Sequence, residues 1–366
     1  MIMKKLFKIE VPEKRNFGLD LLRFIAIFTV LVSHSITVLP SKFQIIHFFI
    51  TDGVLIFFVL SGFLIGRILI RDFQDGISLH KVFYFWKRRW FRTLPAYVFT
   101  IFLIITLSYL YHVHFNKFEV LKTIFFVQNI FHAPKYFFTE SWSLSIEEWF
   151  YLTLPILLFI FLKISKLSIK INIIILFILI LILSNLIRTY YFININVTSI
   201  TVWDDNFRKP IITRLDSILI GVLGSWFYIY KKDFFTKNMN LFLIMGLSIF
   251  LCNKIYFDHF VKDFNFYVSV IYFSLIPFSI LLMIPFFYNM HQPKNRLLNN
   301  IITYGSLISY SLYLLNSTVI IGFILNYLHL SPAFKFVLFW ILNPCLSILM
   351  YKYVEQPFLK LRDKSV

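Results

Sequence analysis

The sequence predicts an all-α, polytopic integral membrane protein of about ten transmembrane helices, with both termini cytoplasmic. Two observations carry the fold class. Hydrophobic residues make up 59% of the 366-residue chain and charged residues only 15%, with a mean hydropathy of +0.76, far outside the range of soluble globular domains. Several apolar stretches also approach or exceed the roughly 18 residues that cross a bilayer as a helix. A third observation, the uneven placement of Lys and Arg, carries the orientation.

In chain order the spans fall near 19–38, 45–69, 94–112, 142–162, 171–188, 211–230, 240–256, 264–288, 301–328 and 333–353. Pro277 and Pro285 predict a kink in the eighth. The opening segment MIMKKLFKIEVPEKRN is basic, but no small-residue cleavage site follows the first apolar run. That run therefore reads as a retained span, not a removed signal peptide. With the N-terminus inside, cytoplasmic segments hold Lys4, Lys5, Lys8, Lys14, Arg15, Arg71, Lys81, Lys87, Arg88, Arg89, Arg92, Lys163, Lys166, Lys170, Lys231, Lys232, Lys237, Lys294, Arg296, Lys360, Arg362 and Lys364. External loops hold Lys42, Lys117, Lys122, Lys135, Arg208, Lys209, Lys254, Lys262 and Lys335. Twenty-two against nine places both termini inside by the positive-inside bias.

No segment is long or polar enough for a soluble domain and no internal repeat stands out, so residues 1–366 read as one membrane domain with no appended soluble domain. The net charge of +18 suits contact with anionic lipid or phosphate. Nucleic acid is not expected, because the charges do not cluster on an independent soluble unit. Cys252 and Cys345 lie in separate apolar segments without CxxC spacing, so they read as packing residues and no metal site is expected.

Arg23 and His34 sit inside the first apolar run, eleven positions apart. On a helix, eleven steps bring His34 to within about 20° of Arg23 and roughly 16 Å further along the axis. With Arg23 at a membrane surface, His34 lies near the midplane, where ionisable groups are costly and mark a site or a pathway. A second cluster is FYFWKRRWFRTLPA, residues 83–96. Arg88 and Arg92 share a helix face, with Arg67 and Arg71 nearby. Guanidinium forks suit phosphate and aromatic rings can cover a base, while anchoring to lipid headgroups fits the same composition. The third is SWSLSIEEWFY, residues 141–151. Glu147 and Glu148 point about 100° apart, so at most one faces a given neighbour. Helix capping by Ser143 or Ser145 with acids in the first turn fits them too. Asp52, Arg214 with Asp216, and Glu355 read first as ion-paired or interface groups. Gly53, Gly62 and Gly66 allow close helix approach.

Taken in order, GLDLLRFIAIFTVLVSH, DGVLIFFVLSGFLIGRIL, FWKRRWFRTLPAY, SWSLSIEEWFYLTLP, TRLDSILIG, ISYSLYLLN and YKYVEQPF resemble the segments of membrane acyltransferase family 3. The best-known members of that family O-acetylate bacterial surface polysaccharides. The resemblance covers nearly the whole chain, with one departure: many members carry histidine where this chain has Asn316, which keeps a polar contact but cannot transfer a proton.

The resemblance implies a multi-pass protein of the bacterial cytoplasmic membrane that O-acylates a glycan or lipid-linked glycan. The implied donor is acyl-CoA, most often acetyl-CoA, approaching from the cytoplasm. Arg67, Arg71, Arg88, Arg89 and Arg92 would hold its phosphates, and the pantetheine arm would carry the thioester toward His34. His34 suits the general base. Arg23 would hold the donor or a charged relay, and Glu147 or Glu148 would orient His34 or bind the acceptor. The alternative is a transporter of a polysaccharide or lipid-linked glycan. Clustered arginines on one side favour the enzyme, since an exporter has no use for a CoA pocket.

Overall fold

A computed structural model describes residues 9–12, 15–40, 52–133 and 137–364. Six of the lysines used for orientation (Lys4, Lys5, Lys8, Lys14, Lys42 and Lys135) lie outside the described residues, as does 45–51 at the start of the second expected span. Among the described residues the chain is helical, with no strand. Among the described residues eight helices are long and apolar enough to cross a membrane, a bent pair is either a broken span or a re-entrant loop, and the apolar helix Leu215–Tyr230 is shorter.

These helices are α1 Phe17–Ser35, α2 Gly53–Phe73, α3 Leu79–Leu110, the short α4 Lys117–Ile124, α5 Ser141–Ser165 and α6 Ile169–Asn194. They continue with α7 Leu215–Tyr230, α8 Met239–Phe260, α9 Tyr267–Tyr288, α10 Arg296–Leu307, α11 Ser309–Leu325 and α12 Pro332–Lys364. The helices differ from the hydropathy reading at several points: the sixth expected span is only the shorter α7, the last runs on to Lys364, and two further differences have a local cause. The third span begins fifteen residues early, because Ser78 caps Lys81 N at 3.3 Å and the basic aromatic stretch is already helical. The ninth breaks at Ile308 with a bend of 56° between α10 and α11, which an unbroken apolar run does not signal.

Local chemistry fixes how the bundle starts. Asn16 accepts from Leu19 N at 3.0 Å, capping α1, and donates to Tyr288 O at 2.8 Å, which ties α1 to the end of α9. Asp20, in the first turn, takes Arg15 and also Ser306 Oγ at 2.8 Å on α10. α2 then crosses α7 at glycines. A Cβ on Gly62 would collide with the Ile218 carbonyl and the Gly221 Cα, and one on Gly221 would meet the Val59 carbonyl. Only backbones this close, without side chains between them, gain that much dispersion contact where lipid supplies no hydrophobic drive.

The buried polar groups of this core pair across helices. Arg188 of α6 is fully buried and forks onto Asp216 of α7 at 3.1 and 2.7 Å. It also reaches Thr213 O at 2.7 Å and Ser274 Oγ at 2.7 Å. Asp216 is thus ion-paired, with Arg188 of α6 as its partner. Arg214 instead lies over the Phe273 ring at 4.3 Å and makes no hydrogen bond from its side chain.

Candidate active site

α1 and α2 line two cavities toward opposite ends of the bundle. The first, of about 600 Å³, takes Arg23 from α1 and runs along α2 from Val54 to Asp72. At 1.5 Å per residue that wall is roughly 27 Å long. Phe57, Phe58 and Leu64 make one stretch of it apolar, while Arg67 and Arg71 lie beyond. α3 adds Arg88, Arg89 and Arg92, and Arg362 of α12 joins them. The spread of these arginines over four helices gathers every guanidinium the sequence nominated into one wall.

Few of these cations have a protein counter-charge. Arg71 and Arg362 pair with the adjacent Asp72 and Asp363 at 3.4 and 2.8 Å. Arg67 lies between rings, 4.6 Å from Tyr228 and 5.1 Å from Tyr288, which holds the side chain while leaving its N–H fork usable. Arg89 lies over Tyr151 at 5.1 Å. Arg23 and Arg92 make no hydrogen bond or ion pair among the described residues. The acids in this wall are Asp72 and Glu147.

Glu147 belongs to this arginine cavity. Its Oε2 accepts from the Tyr151 hydroxyl at 2.7 Å, and that hydroxyl meets Ser61 Oγ at 2.9 Å. Glu148, one residue on, is buried at 4% exposure and lines neither cavity. The expected split between the two glutamates is therefore seen, but neither lines the cavity that holds His34. Capping does not account for them either. α5 starts at Ser141 without a side-chain cap, Ser143 Oγ meets Tyr313 Oη at 2.6 Å, and Ser145 receives Gln128 at 2.5 Å. The two acids sit in the second turn because the helix begins earlier than the apolar run.

The second cavity, of about 460 Å³, holds Ser33 and His34 of α1, Asp52, Glu140 and Trp142 at the start of α5, and Asp204, Arg208 and Lys209. Trp203, Tyr272 and Lys254 complete it. Here the charges compensate one another. Arg208 binds Asp52 at 2.9 Å and Asp204 at 2.9 Å while lying over Trp142 at 4.8 Å. Lys209 binds Asp204 at 2.5 Å, and Lys254 binds Asp258 at 2.6 Å. Burial alone would raise Asp52, but Arg208 outweighs it and holds the carboxyl below the usual carboxylate range. Glu140 goes the other way. Burial raises it despite the hydrogen bonds from Thr318 N at 2.8 Å and Thr318 Oγ1 at 2.5 Å.

His34 Nδ1 contacts Asn316 Oδ1, at the start of a π-wound stretch, Asn316–Leu325, of α11. Asn316 Nδ2 donates to Leu312 O at 2.9 Å and to Tyr313 O at 2.7 Å. Both amide hydrogens are thereby used inside the helix, so Oδ1 must be the atom facing the imidazole. Nδ1 then carries the proton of the neutral ring. The polar contact that the sequence left to Asn316 is this one, with His34.

Sequence reasoning missed Glu140, Tyr151, Tyr313 and the Asp204–Lys209 turn. An acid immediately before SWSLS was the one visible hint of Glu140. The others become site residues only when distant helices converge.

The profile of a family described as an acyltransferase domain matches residues 16–352, which takes in both cavities apart from Arg362. The O-acetyltransferase OatA of Staphylococcus aureus (strain NCTC 8325) is 28% identical over 94% of this chain and 57% of its own length. A putative O-acetyltransferase of S. aureus (strain COL) is 27% identical over the same shares. The peptidoglycan O-acetyltransferase OatA of Listeria monocytogenes serovar 1/2a is 39% identical over 30% of this chain and 20% of its own length. The chain thus spans little more than half the length of these S. aureus relatives and a fifth of the Listeria protein. No solved structure matches it. A match that takes in His34 and every cavity arginine except Arg362 closes the question of kinship: the chain belongs to acyltransferase family 3.

Proposed function

We propose that the chain is a bacterial cytoplasmic-membrane O-acyltransferase. It takes an acetyl group from acetyl-CoA in the arginine cavity and delivers it to a glycan hydroxyl in the His34 cavity. One observation carries this reading: guanidinium groups from four helices converge on a 600 Å³ cavity whose wall turns apolar toward the His34 side. CoA has that polarity pattern, a phosphate-rich nucleotide and a long thin arm ending in the thioester. Charge-assisted forks to phosphate are strong and need no protein carboxylate. The positive-inside bias puts this arginine end in the cytoplasm, where acyl-CoA is supplied.

His34 Nε2 takes the proton as the acceptor oxygen attacks the thioester carbonyl. The C–S bond breaks, the CoA sulfur leaves as thiolate, and the imidazolium returns a proton to it. The O-acetyl ester and CoASH are the products. Asn316 fixes the imidazole tautomer, and Arg208 with Asp52 and Asp204 holds the walls around the acceptor. Arg23, on the same helix as His34, joins Arg67, Arg71, Arg88, Arg89 and Arg92 in holding the donor. Glu147 and Tyr151 orient Arg89. Trp142, Trp203 and Tyr272 offer rings on which a sugar face can lie, consistent with the O-acetyltransferase names of the relatives.

The test uses purified protein in lipid nanodiscs with radiolabelled acetyl-CoA and soluble glycan fragments. Label appearing in the glycan, with stoichiometric release of CoA, is expected. No CoA release with any acceptor, together with glycan retained inside cells lacking the gene, would overturn the enzyme in favour of an exporter.

A further inference from the structure

Among the described residues, Val54 and Tyr313 alone line both cavities. We propose that the Tyr313 ring, backed by Val54, is the partition that limits the acyl group to a short chain. The inference rests on the donor and acceptor placement above and names what that site selects.

Tyr313 is well placed to be a fixed wall. It is 6% exposed, and its hydroxyl is held twice. It donates to Glu140 O at 2.9 Å and meets Ser143 Oγ at 2.6 Å. Its carbonyl accepts Asn316 Nδ2 at 2.7 Å, so the segment that carries the ring also carries the residue facing His34. Along α11 the lining residues are Ser309, Tyr310, Tyr313 and Ser317, a spacing that keeps one helix face on both cavities. The bend after Leu307 turns that face toward them. On the opposite side, Val54 lies in the first turn of α2, whose N-cap Asp52 is tied to Arg208 at 2.9 Å. Neither half of the wall can retreat without breaking hydrogen bonds.

A thioester entering from the arginine cavity brings its carbonyl to this wall. The methyl of an acetyl group adds one atom beyond the carbonyl, whereas each further methylene must displace packed ring or isopropyl atoms. One methylene in a packed pocket is worth about 10–200-fold in selectivity. Wild-type protein should therefore prefer acetyl-CoA to butyryl-CoA strongly. Tyr313→Ala should raise the ratio of butyryl to acetyl kcat/KM by about tenfold or more. Tyr313→Phe keeps the ring, loses both hydroxyl contacts, and should shift the ratio much less. Val54→Ala shortens the other half of the partition without touching a hydrogen bond and should move the ratio in the same direction. It remains informative if Tyr313→Ala fails to fold.

The experiment measures CoA release and glycan label with acetyl-, butyryl- and hexanoyl-CoA for wild type and the three variants. Binding of desulfo-CoA, followed by calorimetry, should be unchanged throughout, because its phosphates lie with the arginines. An unchanged acyl ratio in Tyr313→Ala or Val54→Ala proteins that bind desulfo-CoA and transfer acetyl would overturn the partition and leave the transferase standing. Wild-type protein that binds no desulfo-CoA would fell the donor placement, and the partition with it.

Discussion

Arg23 and Arg208 are both half-buried guanidinium groups in cavity walls, yet their surroundings are opposite. Arg208 has two carboxylates at 2.9 Å and a tryptophan face beneath it, while Arg23 has no ion pair among the described residues. The same contrast runs through the two cavities. In the His34 cavity every cation is met by an aspartate, whereas in the arginine cavity rings position the cations and few carboxylates neutralise them. A partly desolvated charge without a partner is costly to keep. It is retained where a ligand of opposite charge arrives to complete it. Compensated charges build a wall, and the function proposed above gives the uncompensated ones a substrate to hold.

The largest expected effect tests which cavity performs the chemistry. His34→Ala should lower acyl transfer by about 10²–10⁴-fold, the usual contribution of a positioned base, while desulfo-CoA still binds. Wild-type transfer by a well-inserted His34→Ala protein would move the base elsewhere. Replacing Arg88, Arg89 and Arg92 together by Gln should act in the opposite sense, raising KM for acetyl-CoA more than it lowers kcat. Each lost charge-assisted bond is worth about 1.5–3 kcal/mol, and contacts remote from the thioester bind ground and transition state alike. Unchanged KM with inverted topology would make these arginines orientation signals.

These two clusters were legible because composition alone displays them: a histidine inside an apolar run, and four cations among six aromatic residues. The long apolar helices were legible for the same reason, since a hydrocarbon core demands them, but their number was not: of about ten expected spans, eight helices among the described residues are long and apolar enough, and the bent pair adds a ninth at most. What hydropathy cannot carry is which distant helices meet. Glu147 was expected near His34, but seven residues past Glu140 is about two helical turns, or roughly 10 Å, deeper. That depth places it beside Tyr151 and Arg89, and Glu140 takes the place beside the histidine cavity. Tyr313 reads as one more aromatic in ISYSLYLLN. Its importance comes from Val54, some 260 positions away in sequence.

A smaller effect should come from Asn316→Ala. Losing one neutral hydrogen bond to the imidazole costs about 0.5–1.5 kcal/mol, or roughly 2–12-fold in kcat, and the lost hold on the tautomer should appear as a shifted pH–rate profile. An unshifted profile would confine Asn316 to packing. The smallest effect is on stability, and the two acids of the His34 cavity should oppose each other. Asp52 has its folded pKa depressed, so its contribution is present above the ordinary carboxylate range and lost as pH falls through the lower folded value. Glu140 has its folded pKa raised, so its contribution is full below that range and lost as pH rises through the higher folded value. Thermal unfolding of Asp52→Asn and Glu140→Gln between pH 3 and pH 8 checks the signs. Relative to wild type, the penalty of Asp52→Asn should shrink toward acid, and that of Glu140→Gln should shrink toward neutral pH. Parallel curves would contradict the contrast.

The glycine crossing of α2 with α7 bears on how the protein lives with its solvent. α2 lines the arginine cavity over most of its length and touches the histidine cavity at its first turn, so it fixes the spacing of the two cavities. Backbones in contact at Gly62 and Gly221 cannot slide without collision. α8, by contrast, packs against α9 but buries only 11% of its apolar window. When a bilayer thickens or thins, helices such as α8 absorb the mismatch by tilting. The glycine crossing holds α2 in place, so the spacing of the two cavities should not change with membrane thickness.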